Sequence, residues 1–182
     1  MAHVLCRLLV VAVLYGLRAL NAATPATGDT ARAMVDRSNA IRARQGLSAV
    51  QTDLALARAA RDFAQYMAQT DRYGHEADGR QPIQRAQAAG YVHCQVAENI
   101  AWHSSPRRIS GSALAETFVQ ERIESPPHRR NILSPEATEI AIAIAIAIAV
   151  AHSEASGRWY AVQMPGRPAS LRTRLELADP PS

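Results

Sequence analysis

From Ile140 to Ala149 isoleucine alternates with alanine without a break, inside an apolar run of twelve residues that ends at Ala151. No other stretch restricts the fold so strongly. The run is well short of the ~20 residues that a membrane-spanning helix needs. A period of two is the pattern of a strand, with every isoleucine on one face and every alanine on the other. Both residues are apolar, so both faces call for cover, as in a sheet packed between helix layers. Fully extended, the run would reach ~40 Å, long for a domain of this size. A slip of two residues exchanges each side chain for an identical one, so the repeat specifies its own register weakly. Alanine is also a good helix former, which leaves part of the run open to helix. The expectation is a central strand paired with "RWYAVQM" at 158–164, isoleucine facing the heavier helix layer. Its excess length is expected as an overlong hairpin near the following turn.

The helices to cover such a sheet are legible. Residues 31–46, "ARAMVDRSNAIRARQG", place Met34, Val35 and Ile41 at helical spacing and stop at Gly46. Residues 54–70 carry one apolar face of Leu54, Leu56, Ala60, Phe63, Ala64 and Met67. A shorter helix fits 83–91, and another amphipathic one fits 112–124 with Leu114, Phe118, Val119 and Ile123 inward. Residues 71–82 read as loop, 92–105 have mixed spacing around a polar Glu98-Asn99 pair, and Pro126-Pro127 predict a turn before His128.

The chain has 182 residues, 48% of them apolar, enough for one domain with a real core. All 20 basic residues are arginine and the net charge is +4. The arginines are scattered and their short clusters lack interleaved aromatics, which speaks for a solvated arginine surface and against nucleic acid as a partner. Residues 1–22 have the weakly basic start, apolar centre and small-residue end of an export signal, with processing expected near Ala22. Residues 23–32 read as a linker and 169–182 as a frayed tail. Processing would remove Cys6 and leave Cys94 alone, so no internal disulfide is expected, and Cys94 reads as a buried filler. The mature chain is expected to be secreted or periplasmic, without a stable membrane span. Its oligomeric state is not set by the sequence.

Four segments in fixed order carry a resemblance: "YGHEADG" at 73–79, "VAENIAW" at 96–102, "SPPHRRNIL" at 125–133, and "TEIAIAI" with "RWYAVQM" from 138 on. Together they resemble the CAP superfamily of cysteine-rich secretory, antigen 5 and pathogenesis-related class-one proteins, in its short, disulfide-free bacterial form. The likeness spans 33–168, the CAP (SCP) domain. It implies an α+β fold, a three-layer α-β-α sandwich with a small antiparallel sheet between helices, in agreement with the doubly covered strand.

The resemblance also implies a cleft of two histidines and two glutamates that in some members holds a divalent metal such as Zn²⁺. Carried over by motif, the cleft residues are His75, Glu98 and His128, with a metal placed on His75 and His128. The second glutamate is Glu124, with Glu121 as the alternative, and Gln120 also falls at that place. Two departures stand out: Arg122 occupies the position of a tryptophan common in bacterial members, and Ala141 that of a strand glycine. His93, His103 and His152 match no motif and read as surface residues, while Trp102, Trp159 and Tyr160 read as core or cleft-edge anchors. The expected function is an exported CAP-domain protein whose His/Glu cleft binds a lipid, peptide or cell-envelope ligand. A metal-dependent hydrolase using the same cleft, and a structural domain with a vestigial cleft, are the alternatives.

Overall fold

The computed structural model describes residues 24–104, 109–135 and 145–170. Within them five helices and four strands follow one another along the chain. The order is α1 (Thr24–Arg44), α2 (Leu54–Thr70), α3 (Pro82–Ala88), β1 (His93–Val96), β2 (Asn99–Ser104), α4 (Gly111–Glu124), α5 (Pro126–Ile132), β3 (Ala145–His152) and β4 (Arg158–Pro168).

The sheet is built on β4. It pairs antiparallel with β3 along one edge, from Ala145 opposite Gly166 to His152 opposite Trp159. Along its other edge it takes β2 and then β1, from Ser104 opposite Arg158 to His93 opposite Pro168. β4 is therefore the central strand, and the expectation that the isoleucine-alanine run holds the centre is corrected. β3 lies at an edge of the described sheet. The physical reason is that β4 buries Trp159 through Met164 without a gap and can take a neighbour on each side.

Successive residues of the sheet face opposite layers. Tyr160, Val162, Met164, Ala151 and Ile100 pack with Leu56, Ala60, Phe63, Ala64 and Met67 of α2. Trp159, Ala161 and Val150 pack with Met34 of α1 and Leu114, Ala115, Phe118 and Val119 of α4. Val150 is in phase with the isoleucines and faces the two-helix layer, whereas Ala151 is in phase with the alanines and faces α2. The result is the three-layer α-β-α sandwich that the resemblance implied.

Local chemistry sets the ends of these elements. Asp53 caps α2 by accepting from the Ala55 and Leu56 amides at 2.8 and 2.9 Å. Gly166 is required by close approach, because a Cβ there would stand 2.7 Å from the Tyr91 hydroxyl and 2.9 Å from Leu56 Cδ1. The 23–32 linker gives way to helix from Thr24, since Pro25 sits in the first turn where no intrahelical N–H is missed. The turn expected at Pro126-Pro127 starts α5 for the same reason. Residues 92–105, which had no clear period, form β1 and β2. The β3–β4 hairpin is tight: the Ser153 amide donates to Arg158 O at 2.8 Å and the Gly157 amide to Ser153 O at 2.9 Å. No excess length accumulates at that turn, and Ile140 to Ile144 lie outside the described residues, as do 1–22 and most of the tail.

Candidate functional site

The edge formed by β1 and β2 is one strand with a break. Ala97 continues the ladder, its amide donating to Pro165 O at 2.9 Å, and regular pairing resumes at Asn99. Breaks of this kind re-aim side chains. Here Glu98 points to the loop between α2 and α3, and Asn99 reaches α5 on the other flank.

Glu98 is buried, its side chain 1% exposed, and both oxygens accept from Arg85 Nη2 at 2.9 and 2.8 Å. His75 Nδ1 lies 2.8 Å from Glu98 Oε1 and donates to it, leaving Nε2 of a half-exposed ring facing outward. Arg85 also organises the loop that carries His75. It donates to His75 O at 2.8 Å, to Arg80 O at 2.7 Å and to Asp78 Oδ1 at 2.7 Å, with its guanidinium 3.6 Å above the Phe63 ring. The loop is anchored at its start by Asp71, which caps α2 in the left-handed conformation and accepts from Ser156 Oγ and Tyr160 Oη. Those hydrogen bonds, that from Ser156 first, hold the Asp71 carboxyl below its ordinary range.

On the opposite flank Asn99 is fully buried. Its Nδ2 donates to His128 O at 3.2 Å and to Gln163 Oε1 at 2.9 Å, and its Oδ1 accepts from Asn131 Nδ2 at 2.6 Å. α5 is thus fastened to the break beside Glu98. Burial, then the charges of Arg122 and His75, hold the His128 imidazole below its ordinary value and favour the neutral ring. Arg122 itself is buried under Phe118 and donates from Nη2 to Ala161 O at 3.2 Å. Burial pushes its pKa down to about 10, so it stays charged at neutral pH. Tyr73 closes this side, its hydroxyl donating to Ile100 O at 3.1 Å.

His75, Glu98 and His128 thus gather around the break in one strand. The two candidates for the second glutamate take separate places. Glu124 accepts from Gln120 and lines a separate groove of about 550 Å³ with Arg129, Arg130 and Arg167. Glu121 lies 3.4 Å from His103 Nδ1, and its charge also acts on Tyr73 and Arg122 beside the cleft. His152 is not a surface residue: it lies tilted over Trp159, ring centroids 4.6 Å apart, and its side chain is 12% exposed. Cys94 is exposed, not a buried filler, because β1 turns it outward from the sheet edge. Trp159 and Tyr160 anchor the core, and Trp102 lies at the surface under Arg158. Sequence reasoning noted Asn99 only as the polar neighbour of Glu98, and missed Arg85, Asn131 and Gln163. Only Asn131 left a signal, falling one helical turn after His128.

His75 and His128 are the nitrogens that would hold a Zn²⁺. The surroundings suit it poorly. The carboxylate that would balance the ion is already bound twice by Arg85, and the next charge inward is the cation Arg122. Among the described residues no three histidine, cysteine or carboxylate side chains converge to hold a metal.

The model of the cysteine-rich secretory protein family, CAP, matches residues 35–163. The uncharacterized protein YkwD of Bacillus subtilis (strain 168) is 30% identical over 110 residues, which are 60% of this chain and 40% of that protein. The chain therefore spans about 40% of the length of this curated relative. Among solved structures, an extracellular protein containing a SCP domain from Bacillus anthracis aligns with a TM-score of 0.62 at 19% identity. That match covers 78% of this chain and 41% of the other. An outer surface protein from Borrelia burgdorferi aligns with a TM-score of 0.63 at 14% identity, over 77% and 93% of the two chains. At these identities the two structures establish the shared fold.

Proposed function

The chain belongs to the CAP family of cysteine-rich secretory proteins, and from that premise we propose that it is an exported binding protein. Its cleft of His75, Glu98 and His128 receives a lipid, peptide or cell-envelope ligand. The observation that carries this reading is the engagement of Glu98. Both oxygens of this buried carboxylate accept from Arg85, and Oε1 also from His75, so the group serves to fasten the loop that carries His75. The network fixes the loop and presents His75 Nε2 outward as a hydrogen-bonding group, an arrangement suited to recognition. Export is supported by the signal-like residues 1–22 and by relatives described as extracellular or outer-surface. Among the described residues no helix is long and apolar enough to cross a membrane.

The test is a retention assay of the purified protein on lipid vesicles, peptide arrays and cell-envelope fragments, with Glu98→Gln and His75→Ala beside the wild type. Retention in one class, reduced in both variants, is the expected result. Retention in none, or a chelator-sensitive hydrolytic activity that both variants lose, would replace this reading with the structural or the metal-hydrolase alternative.

A further inference from the structure

Three arginines are buried in the described part of the molecule: Arg42, Arg85 and Arg122. Two of them find their acceptors within the chain. Arg42 donates to the carbonyls of Ser48, Ile132 and Ser134 at 2.8, 2.7 and 3.1 Å. Arg85 donates to Glu98, Asp78 and two carbonyls, as described above. Each leaves a single nitrogen without an acceptor. Arg122 is different: one bond of 3.2 Å to Ala161 O leaves both Nε and Nη1 without an acceptor, in a side chain only 1% exposed. Among the described residues no carboxylate forms an ion pair with it. Glu121 and Tyr73 act on its charge without reaching it as acceptors, and donors left unmet in such a place are costly, so the geometry calls for a further acceptor there.

We propose that the cleft takes the carboxylate of its ligand, seated on the guanidinium of Arg122 between Tyr73 and His128. This deepens the binding reading above and rests on it for the location of the ligand. Arg122 supplies one positive charge and N–H donors that fit a planar carboxylate. Tyr73 adds a hydroxyl. One cation balances a monoanion, whereas a dianionic phosphate would be left half-compensated in a desolvated place. Tyr73 is the way in. It is 47% exposed and its hydroxyl is held by the Ile100 carbonyl, which a ligand oxygen can replace.

The experiment follows the Arg122 Nε–H resonance in arginine-labelled protein, assigned by its loss in Arg122→Lys. The protein is titrated with sodium acetate, with inorganic phosphate, and with sodium chloride at matched ionic strength. The expected result is a saturable shift with acetate, about tenfold weaker with phosphate and absent with chloride, and about tenfold weaker again in Tyr73→Phe, the loss of one hydrogen bond to a charged group. A linear response, or one identical in all three salts, would overturn the proposal. Tighter binding of phosphate than of acetate would overturn the ligand class. If Arg122→Lys fails to fold, Tyr73→Phe and His128→Gln carry the test, and an acetate response unchanged in both would sink it. An intact Arg122 response with no retained envelope, lipid or peptide ligand would sink the wider reading alone. The reverse pattern would sink this inference alone.

Discussion

Replacing Arg85 by alanine would leave Glu98 charged, buried and unpaired, and would strip the 75–80 loop of its organising donor. The expected cost is ~3–5 kcal/mol, the penalty for breaking a buried pair, read as a fall in the urea midpoint. The double variant Arg85→Met with Glu98→Gln should recover part of that loss. Arg122 behaves oppositely. Its charge is buried against carbonyl and ring with two donors unmet, so Arg122→Met should raise the melting temperature of the domain while removing the anion response. His128 gives a pH signature. Its ring is held below the ordinary 6.5, so as pH falls the unfolded chain takes up the proton before the folded one. Its contribution is complete above 6.5, is lost as pH falls towards the lower folded value, and then levels off. Unfolding curves of His128→Gln should lack that slope. At this scale the sequence was partly readable. His75, Glu98 and His128 sit in recognisable motifs, whereas Arg85 lies in a plain helix whose hydrogen-bond partners are 5 to 13 residues away and set only by tertiary folding. The arginine-rich surface expected from composition hid three buried guanidiniums for the same reason, because burial of a charge depends on acceptors that no local pattern records.

The strand β3 tests how a self-similar repeat finds its place. Deleting Ala147 and Ile148 together keeps the facing of every other residue and shifts only which identical unit pairs with β4. Deleting Ala147 alone exchanges the two faces on one side of the cut. Thermal melts should show little change for the first and a clear loss for the second; the opposite ranking, or helix by circular dichroism, would contradict the strand. The period of two made this strand and its partner β4 legible, but not which of them is central. Centrality depends on β1 and β2, and a break at Ala97-Glu98 divides their run into pieces too short to show a period. That same break is what turns Glu98 into the cleft. Pro126-Pro127 misled in a simpler way, since proline stops a helix from within and starts one from its first turn.

At the scale of the whole molecule the sandwich sets the cleft at an edge, where the α2–α3 loop and the α4–α5 corner meet over the broken strand. Loop and corner are fastened separately, by Arg85 and by Asn99, so the distance between them is fixed by the sheet. On the proposed reading, Arg122 makes the cleft a receptor for an anion. A crystal soaked in zinc acetate measures this most directly, with diffraction recorded at the zinc absorption edge. The expected result is planar density against the Arg122 guanidinium and no anomalous peak between His75 and His128. A zinc peak held by the two imidazoles, with no density at Arg122, would contradict the account.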